Sequence, residues 1–117
     1  MHELSLAQSL VEQVGRAAEK ENAVRVLRIV VAIGKHSGVE RDAFEFAFPF
    51  AAGEGVLEGA ELVVEEIPAT VACRSCGAES HPGIVNLVCM RCGSAEVELV
   101  GGREFLVRSV ELEVPGG

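Results

Sequence analysis

The chain has 117 residues, 49% of them hydrophobic, and a formal net charge of −8. That is enough apolar mass for one core with a small subdomain, and too much for a disordered chain. No apolar run reaches the ~18 residues that cross a bilayer, and acidity without any Trp or Tyr argues against a nucleic-acid surface.

The charge is uneven: residues 36–72 carry one Arg against eight Asp and Glu, whereas residues 1–35 carry five cationic and four acidic side chains. An acidic surface of this kind suits cations, a basic partner face, or plain solubility. The start lacks the basic and apolar segments of a signal peptide, so the expectation is a cytoplasmic chain without membrane or nucleic-acid partners.

Residues 4–20 have helical periodicity, with Leu4, Ala7, Leu10, Val11, Val14, Ala17 and Ala18 on one face. Ser5 and Gln8 have capping-box spacing, and Asn22 suits the turn that follows. The β-branched run "AVRVLRIVVAI" predicts a largely buried strand, with Leu27, Ile29, Val31 and Ile33 on one face and Val26, Arg28, Val30 and Ala32 on the other. Gly34 ends it.

Ser37 and Glu40 repeat the capping-box spacing and introduce a second helix. Its core face is predicted from Val39, Ala43, Phe46, Ala47 and Phe50, with Pro49 ending or bending it. A glycine-rich loop leads to "ELVVEEI", a second strand that a crossover would set parallel to the first. The third strand lies in "EFLVRSVELEV". Leu106, Val110, Leu112 and Val114 are predicted on one face; Phe105, Val107, Ser109, Glu111 and Glu113 on the other.

The fold expected is α+β: two helices packed on a small mixed three-stranded sheet, with an inserted zinc-ribbon-like unit of four cysteines. The corresponding division is residues 1–70 plus 96–117 for the α/β part and 71–95 for the insert.

The insert holds two knuckles, "CRSCG" and "CMRCG". Cys73 and Cys76 are separated by two residues, as are Cys89 and Cys92, and twelve residues lie between the pairs. This spacing lets both sulfurs of a knuckle reach one metal, and the glycine after each pair permits the turn. Four thiolates suit structural Zn²⁺, although iron in a four-sulfur site has the same ligands. A dithiol redox centre needs one such pair at a helix start rather than two in tandem. His81, between the knuckles, reads as a loop histidine or as a residue that swaps into the metal site; His36 sits in a polar turn.

The sequence opens Met1-His2-Glu3. Chain ends usually fray without consequence. Yet an α-amine, an amide nitrogen and the His2 imidazole can close fused chelate rings in one plane, the arrangement Ni²⁺ and Cu²⁺ favour, and Glu3 adds a carboxylate or its own amide.

The motifs together resemble the HypA family of nickel metallochaperones. The resemblance rests on "MHE" at the start, "GKHSGVE", "FEFAF", "EGAEL", "CRSCG…CMRCGS" and "GGREFLVRSVELE", in order over nearly the whole chain. It implies a two-part protein that is not an enzyme. By the resemblance, such a protein is expected to bind nickel at its N-terminus and deliver it to a [NiFe]-hydrogenase large-subunit precursor, working with the GTPase HypB and in some organisms serving urease through its accessory proteins. By the same resemblance Met1, His2 and Glu3 hold nickel, Glu40 lies near it, and Cys73, Cys76, Cys89 and Cys92 hold zinc. The chain departs from the pattern at His36, where relatives often carry Leu. It departs again at Gly77 and Gly93, where some carry a His directly after each Cys pair. The alternative is a zinc-ribbon interaction module with no nickel role, which leaves "MHE" as accident.

Overall fold

The computed structural model of the chain describes residues 2–83 and 86–116. Two helices and six strands follow in the order α1 (His2–Lys20), β1 (Arg25–Gly34), α2 (Arg41–Ala52), β2 (Glu61–Ile67), β3 (Thr70–Cys73), β4 (Glu79–Ser80), β5 (Val97–Gly101) and β6 (Phe105–Glu113). They make two three-stranded sheets, ordered β2-β1-β6 and β4-β3-β5. The first is mixed: β1 runs parallel to β2, from Arg28 opposite Glu61 to Gly34 opposite Ile67, and antiparallel to β6.

Helix α1 buries Ala7, Leu10, Val14 and Ala18, spaced three or four residues apart along one stripe. Because it already begins at His2, Ser5 and Gln8 lie inside it and exposed, so they form no capping box, and Ala17 is likewise exposed. Asn22 takes the turn after the helix with φ 54°. The second expected box is also replaced: Ser37 Oγ accepts from the Val39 amide, and Glu40 is the N-cap of α2, its carboxylate accepting from the Asp42 amide. Pro49 does not end α2, which continues to Ala52 and closes with the Gly53 amide donating to the Pro49 carbonyl.

Helix α2 turns a different face inward from the one predicted. Phe44, Ala47 and Phe48 are buried, whereas Phe46 and Phe50 are 73% and 70% exposed. At 100° per residue the alternate Phe positions split into two pairs, 44 with 48 and 46 with 50 on the opposite side, and tertiary packing takes the first pair, Phe44 lying edge-on against Phe105 of β6.

Two irregularities of register likewise shift the predicted strand faces. Between Val26 and Arg28 the β1–β6 pairing slips by one residue, which puts Leu27 outward and Val26 inward beside Ile29. Between Val30 and Val31 it slips again, opposite Arg108. Phe105 and Val107 therefore join Val110 and Leu112 against the core, and Leu106 and Val114 are exposed. The glycine-rich loop contributes to the core too: Leu57 is fully buried, and the Val56 carbonyl accepts from the Val26 amide.

The second sheet takes in β3 and β5, so the hydrogen-bonded unit around the cysteines reaches from Thr70 to Gly101. The two sheets meet where chain segments cross at very close range. A Cβ on Gly34 would collide with the Gly102 carbonyl, and one on Gly102, at φ 108°, would lie 2.8 Å from the Ala69 Cα. The crossing is bonded by the His36 amide to the Gly102 carbonyl (2.7 Å), the Gly34 amide to the Glu104 carbonyl (2.6 Å) and the Lys35 amide to the Ile67 carbonyl (2.9 Å).

Candidate metal centres

The two cysteine knuckles fold alike because their sequences are alike. In the first, the Gly77 amide donates to the Cys73 carbonyl and the Cys73 amide to the Ala78 carbonyl. In the second, Gly93 donates to Cys89 and the Cys89 amide to the Ser94 carbonyl. Gly77 and Gly93 stand at φ 77° and 78°, a conformation glycine adopts without strain. Each turn directs amides at the leading sulfur: Cys76 N–H at Cys73 Sγ (3.3 Å), and Arg91 and Cys92 N–H at Cys89 Sγ (3.4 and 3.5 Å). A hydrogen bond between the Ser75 and Ser94 hydroxyls (3.2 Å) ties one knuckle to the other.

All four sulfurs lie within 4.8 Å of one another, and the Cys73–Cys92 and Cys76–Cys89 pairs are 3.6 Å apart. Tetrahedral Zn–S bonds of ~2.3 Å require sulfurs ~3.8 Å apart, so the donor set fits that ion. Cys73 and Cys89 are buried; Cys76 and Cys92 are exposed. The amides favour thiolate at the buried pair. The Cys76 amide lowers the Cys73 pKa, and the Cys92 and Arg91 amides bring Cys89 down to about 6. Cys92 receives the Ser94 amide, which lowers its pKa, but the Cys73 thiol, burial and the other two thiols together push it up to about 11. Thiols crowded this closely resist shedding all their protons without a cation among them.

His81 stands apart from the cysteine cluster. Its Nδ1 lies 3.1 Å from Thr70 Oγ1 and 3.2 Å from the Ala69 carbonyl, which holds the loop against the segment between β2 and β3. His36 Nε2 is buried without a hydrogen-bond partner at the crossing of the sheets.

At the other end, Met1 lies outside the described residues. His2 starts α1 and is exposed, with Nδ1 3.7 Å from Glu3 Oε2. The Glu3 carboxylate accepts the Glu40 amide at 3.1 Å, which joins the first turn of α1 to the start of α2. The Glu40 amide, then Glu3's own amide and the nearby His2, hold this carboxyl below the usual carboxylate range. Residues 3 and 40, 37 apart in sequence, thus meet through the carboxylate of one and the amide of the other, while the Glu40 carboxylate caps α2. Sequence reasoning missed a further feature of this end. A cleft of about 420 Å³ beside Glu3 is lined by Leu4, Ala43, Phe46, Ala47 and Phe50; the alternate spacing of the Phe residues was the signal that could have found it.

A helix-bearing mixed sheet joined to a four-cysteine unit defines a small metal-binding protein of two parts. The chain belongs to the HypA family, described as "Hydrogenase/urease nickel incorporation, metallochaperone, hypA", whose model matches residues 1–112. It is 39% identical to a hydrogenase maturation factor HypA of Chlorobium limicola over 97% of both chains. It is 40% identical to one of Nitrosospira multiformis, over 96% of this chain and 97% of that one. Among solved structures it resembles the nickel metallochaperone HypA of Helicobacter pylori, with TM-score 0.68 and 28% identity over 96% of this chain and 97% of that one. The family is one of metallochaperones and maturation factors rather than catalysts, and membership places the chain in hydrogenase/urease nickel incorporation. Among the described residues, no helix is long and apolar enough to cross a membrane.

Proposed function

We propose that the chain binds Ni²⁺ through Met1, His2 and Glu3 and delivers it to a [NiFe]-hydrogenase precursor in the cytoplasm. In this reading zinc on Cys73, Cys76, Cys89 and Cys92 is structural. Residues 1–70 plus 96–117 are the proposed nickel-binding part and 71–95 the proposed zinc-binding insert, with Thr70 and β5 joining the insert's sheet by their pairing with β3. The GTPase HypB and the hydrogenase large-subunit precursor are the partners, and urease accessory proteins would be the partners for urease.

The observation that carries the reading is the state of the first turn of α1. The His2 imidazole is exposed, and the first amides of a helix have no carbonyl partner within it. Amide nitrogens that give up no helix hydrogen bond are available to lose a proton and ligate. The bond from the Glu40 amide engages the Glu3 carboxylate, which favours its own amide over its carboxylate as a nickel donor. The positive end of the helix dipole works against a cation by about 0.3–1 kcal/mol. Together with the small number of protein ligands, this suits a cargo that must leave again, and micromolar affinity, about 8 kcal/mol, is expected.

Zinc would close its four sulfurs into one fixed unit. Four protein ligands leave no open position for catalysis.

The test is calorimetric nickel titration of the zinc-loaded chain with its native terminus, beside a copy extended by one glycine and beside His2→Ala. Near one equivalent on the native chain, with much weaker binding to both others and unchanged zinc content, is the expected result. Equal binding by all three would place nickel elsewhere, and no binding by any would leave a zinc-dependent interaction module.

A further inference from the structure

The four sulfurs of the cysteine unit are not equivalent. Cys73 and Cys89 are buried, and the turns direct amides at them, Cys76 N–H at Cys73 Sγ and both Arg91 and Cys92 N–H at Cys89 Sγ. Hydrogen bonds of this kind stabilise a thiolate and lower its nucleophilicity. Cys76 and Cys92 are exposed. Cys92 receives one amide, from Ser94, whereas among the described residues no amide is bonded to Cys76 Sγ. Cys76 alone combines exposure with a sulfur bare of amide hydrogen bonds.

The two exposed sulfurs also share one space. An open cleft of about 430 Å³ is lined by Cys76, Gly77, Ala78, Arg91 and Cys92, and the two sulfurs lie within 4.8 Å of each other. Arg91 is exposed, carries no ion pair among the described residues, and so sets an uncommitted cation in the wall. Partly exposed, electropositive surroundings are those in which thiolates react. The other arginine of the insert, Arg74, does not line this cleft.

We propose that this cleft is a site of oxidative modification, where Cys76 attacks hydrogen peroxide and Cys92 then closes a disulfide with it across the two knuckles. The Cys76 thiolate gives an electron pair to one peroxide oxygen, the O–O bond breaks, and hydroxide leaves beside the Arg91 cation. Cys76 is now a sulfenic acid. The Cys92 thiolate attacks that sulfur, the S–O bond breaks, and a second hydroxide leaves. Two thiolates have lost two electrons, and one peroxide has gained them. Within-knuckle bonds are disfavoured because their second sulfur, Cys73 or Cys89, is buried and amide-bonded. Cys73 and Cys89 alone do not complete the four-sulfur set that holds zinc, so the ion is released. That consequence rests on the zinc reading; the choice of sulfurs does not. Exchange with a thiol reductant reverses the bond, and the half that carries His2 and Glu3 keeps its own core throughout.

The test adds hydrogen peroxide in small molar steps to the zinc-loaded full-length chain at neutral pH, without reductant. Released zinc is followed with a chromogenic chelator, and the oxidation state of each cysteine is mapped by tandem mass spectrometry. A single disulfide between Cys76 and Cys92 is expected to form in step with zinc release. Dithiothreitol with added zinc is expected to restore the starting state. Arg91→Glu is expected to slow the reaction at least about threefold, with zinc content and melting temperature unchanged before oxidation. Arg74→Glu, on the same unit but outside the cleft, is expected to react near the native rate. A main product joining Cys73 to Cys76 or Cys89 to Cys92 would overturn the proposal. So would zinc release with all four cysteines still reduced. Equal rates in the two Arg variants would overturn the part assigned to Arg91. A chain holding a cation other than zinc is recognised by metal analysis before peroxide is added; that result ends the zinc reading, while the disulfide map still decides which sulfurs react.

Discussion

The two sheets solve the problem of holding together in opposite ways. In the helix-bearing half, thirteen buried side chains from α1, β1, α2 and the loop at Leu57 form one continuous cluster. Beyond β2, among the described residues, the buried hydrophobic side chains are Ala69, Val71, Cys73 and Cys89, two of which are candidate metal ligands, and the loop between the knuckles buries Pro82. Apolar burial at about 25 cal/mol per Å² can order the first half, whereas the side chains buried among the described residues of the second give the twelve-residue loop between the knuckles far less apolar support. The comparison teaches that the cysteines can stand in for a core: their backbone turns are built, and a cation bound among them would supply the free energy that carbon contacts supply elsewhere. Of the candidate nickel residues, His2 and Glu3 lie on the carbon-built half, so a metal bound there would come and go without unfolding its support.

Removing a ligand is the strongest way to break this comparison. Cys76→Ala is expected to lose zinc, which contributes on the order of 10 kcal/mol to folding in sites of this kind. Amide exchange should then accelerate across β3–β5 while β1, β2 and β6 stay protected. Loss of nickel binding in this variant, with nickel retained in His2→Ala, would show that the two sites had been assigned the wrong way round.

The reciprocal change is Phe44→Ala. Phe44 is fully buried and packs edge-on against Phe105 at 5.3 Å between ring centroids. Its truncation is expected to cost about 3–5 kcal/mol in urea unfolding of the helix-bearing half, with zinc stoichiometry unchanged. An equal loss of protection in β3–β5 would mean that the halves do not stand independently.

Gly34→Ala addresses the crossing between them. The added methyl would run into the Gly102 carbonyl, and relief of such overpacking typically costs about 1–3 kcal/mol. NMR shifts at Ala69, Gly102 and Glu104 are expected to move together; shifts confined to β1 would show that the crossing yields freely.

The smallest expected effect is at Glu3. Its folded-state pKa lies below the ordinary value of 4.5 because the Glu40 amide stabilises the carboxylate. The resulting stability is complete above that ordinary value and is lost as pH falls through the lowered one. Glu3→Gln should therefore flatten the acid limb of a melting-temperature profile below about pH 5. An unchanged limb would show that the bond between the two helix starts contributes nothing.

Much of this was legible in the sequence. Knuckle spacing named the four cysteines, periodicity named the stripe of α1, and β-branched content named β1, because each follows from local geometry of a few consecutive residues. Faces were harder to read. Leu27 and Leu106 point to water because the β1–β6 register slips at two places, and the partner strand that permits a slip lies about 80 residues away. Leu57 gave no signal inside a loop of glycines, yet the space between α1 and β1 draws it in.

The sequence by itself determined the four-cysteine spacing and the order of the two helices and three strands of the first sheet, since spacing and residue chemistry are properties of the chain alone; β3, β4 and β5 were not legible, because they are short and pair across the cysteine turns. Only the tertiary structure decided which Phe pair of α2 meets the core and that Glu3 reaches the amide of Glu40. Both depend on how α1 and α2 lie against one another, which no local pattern encodes.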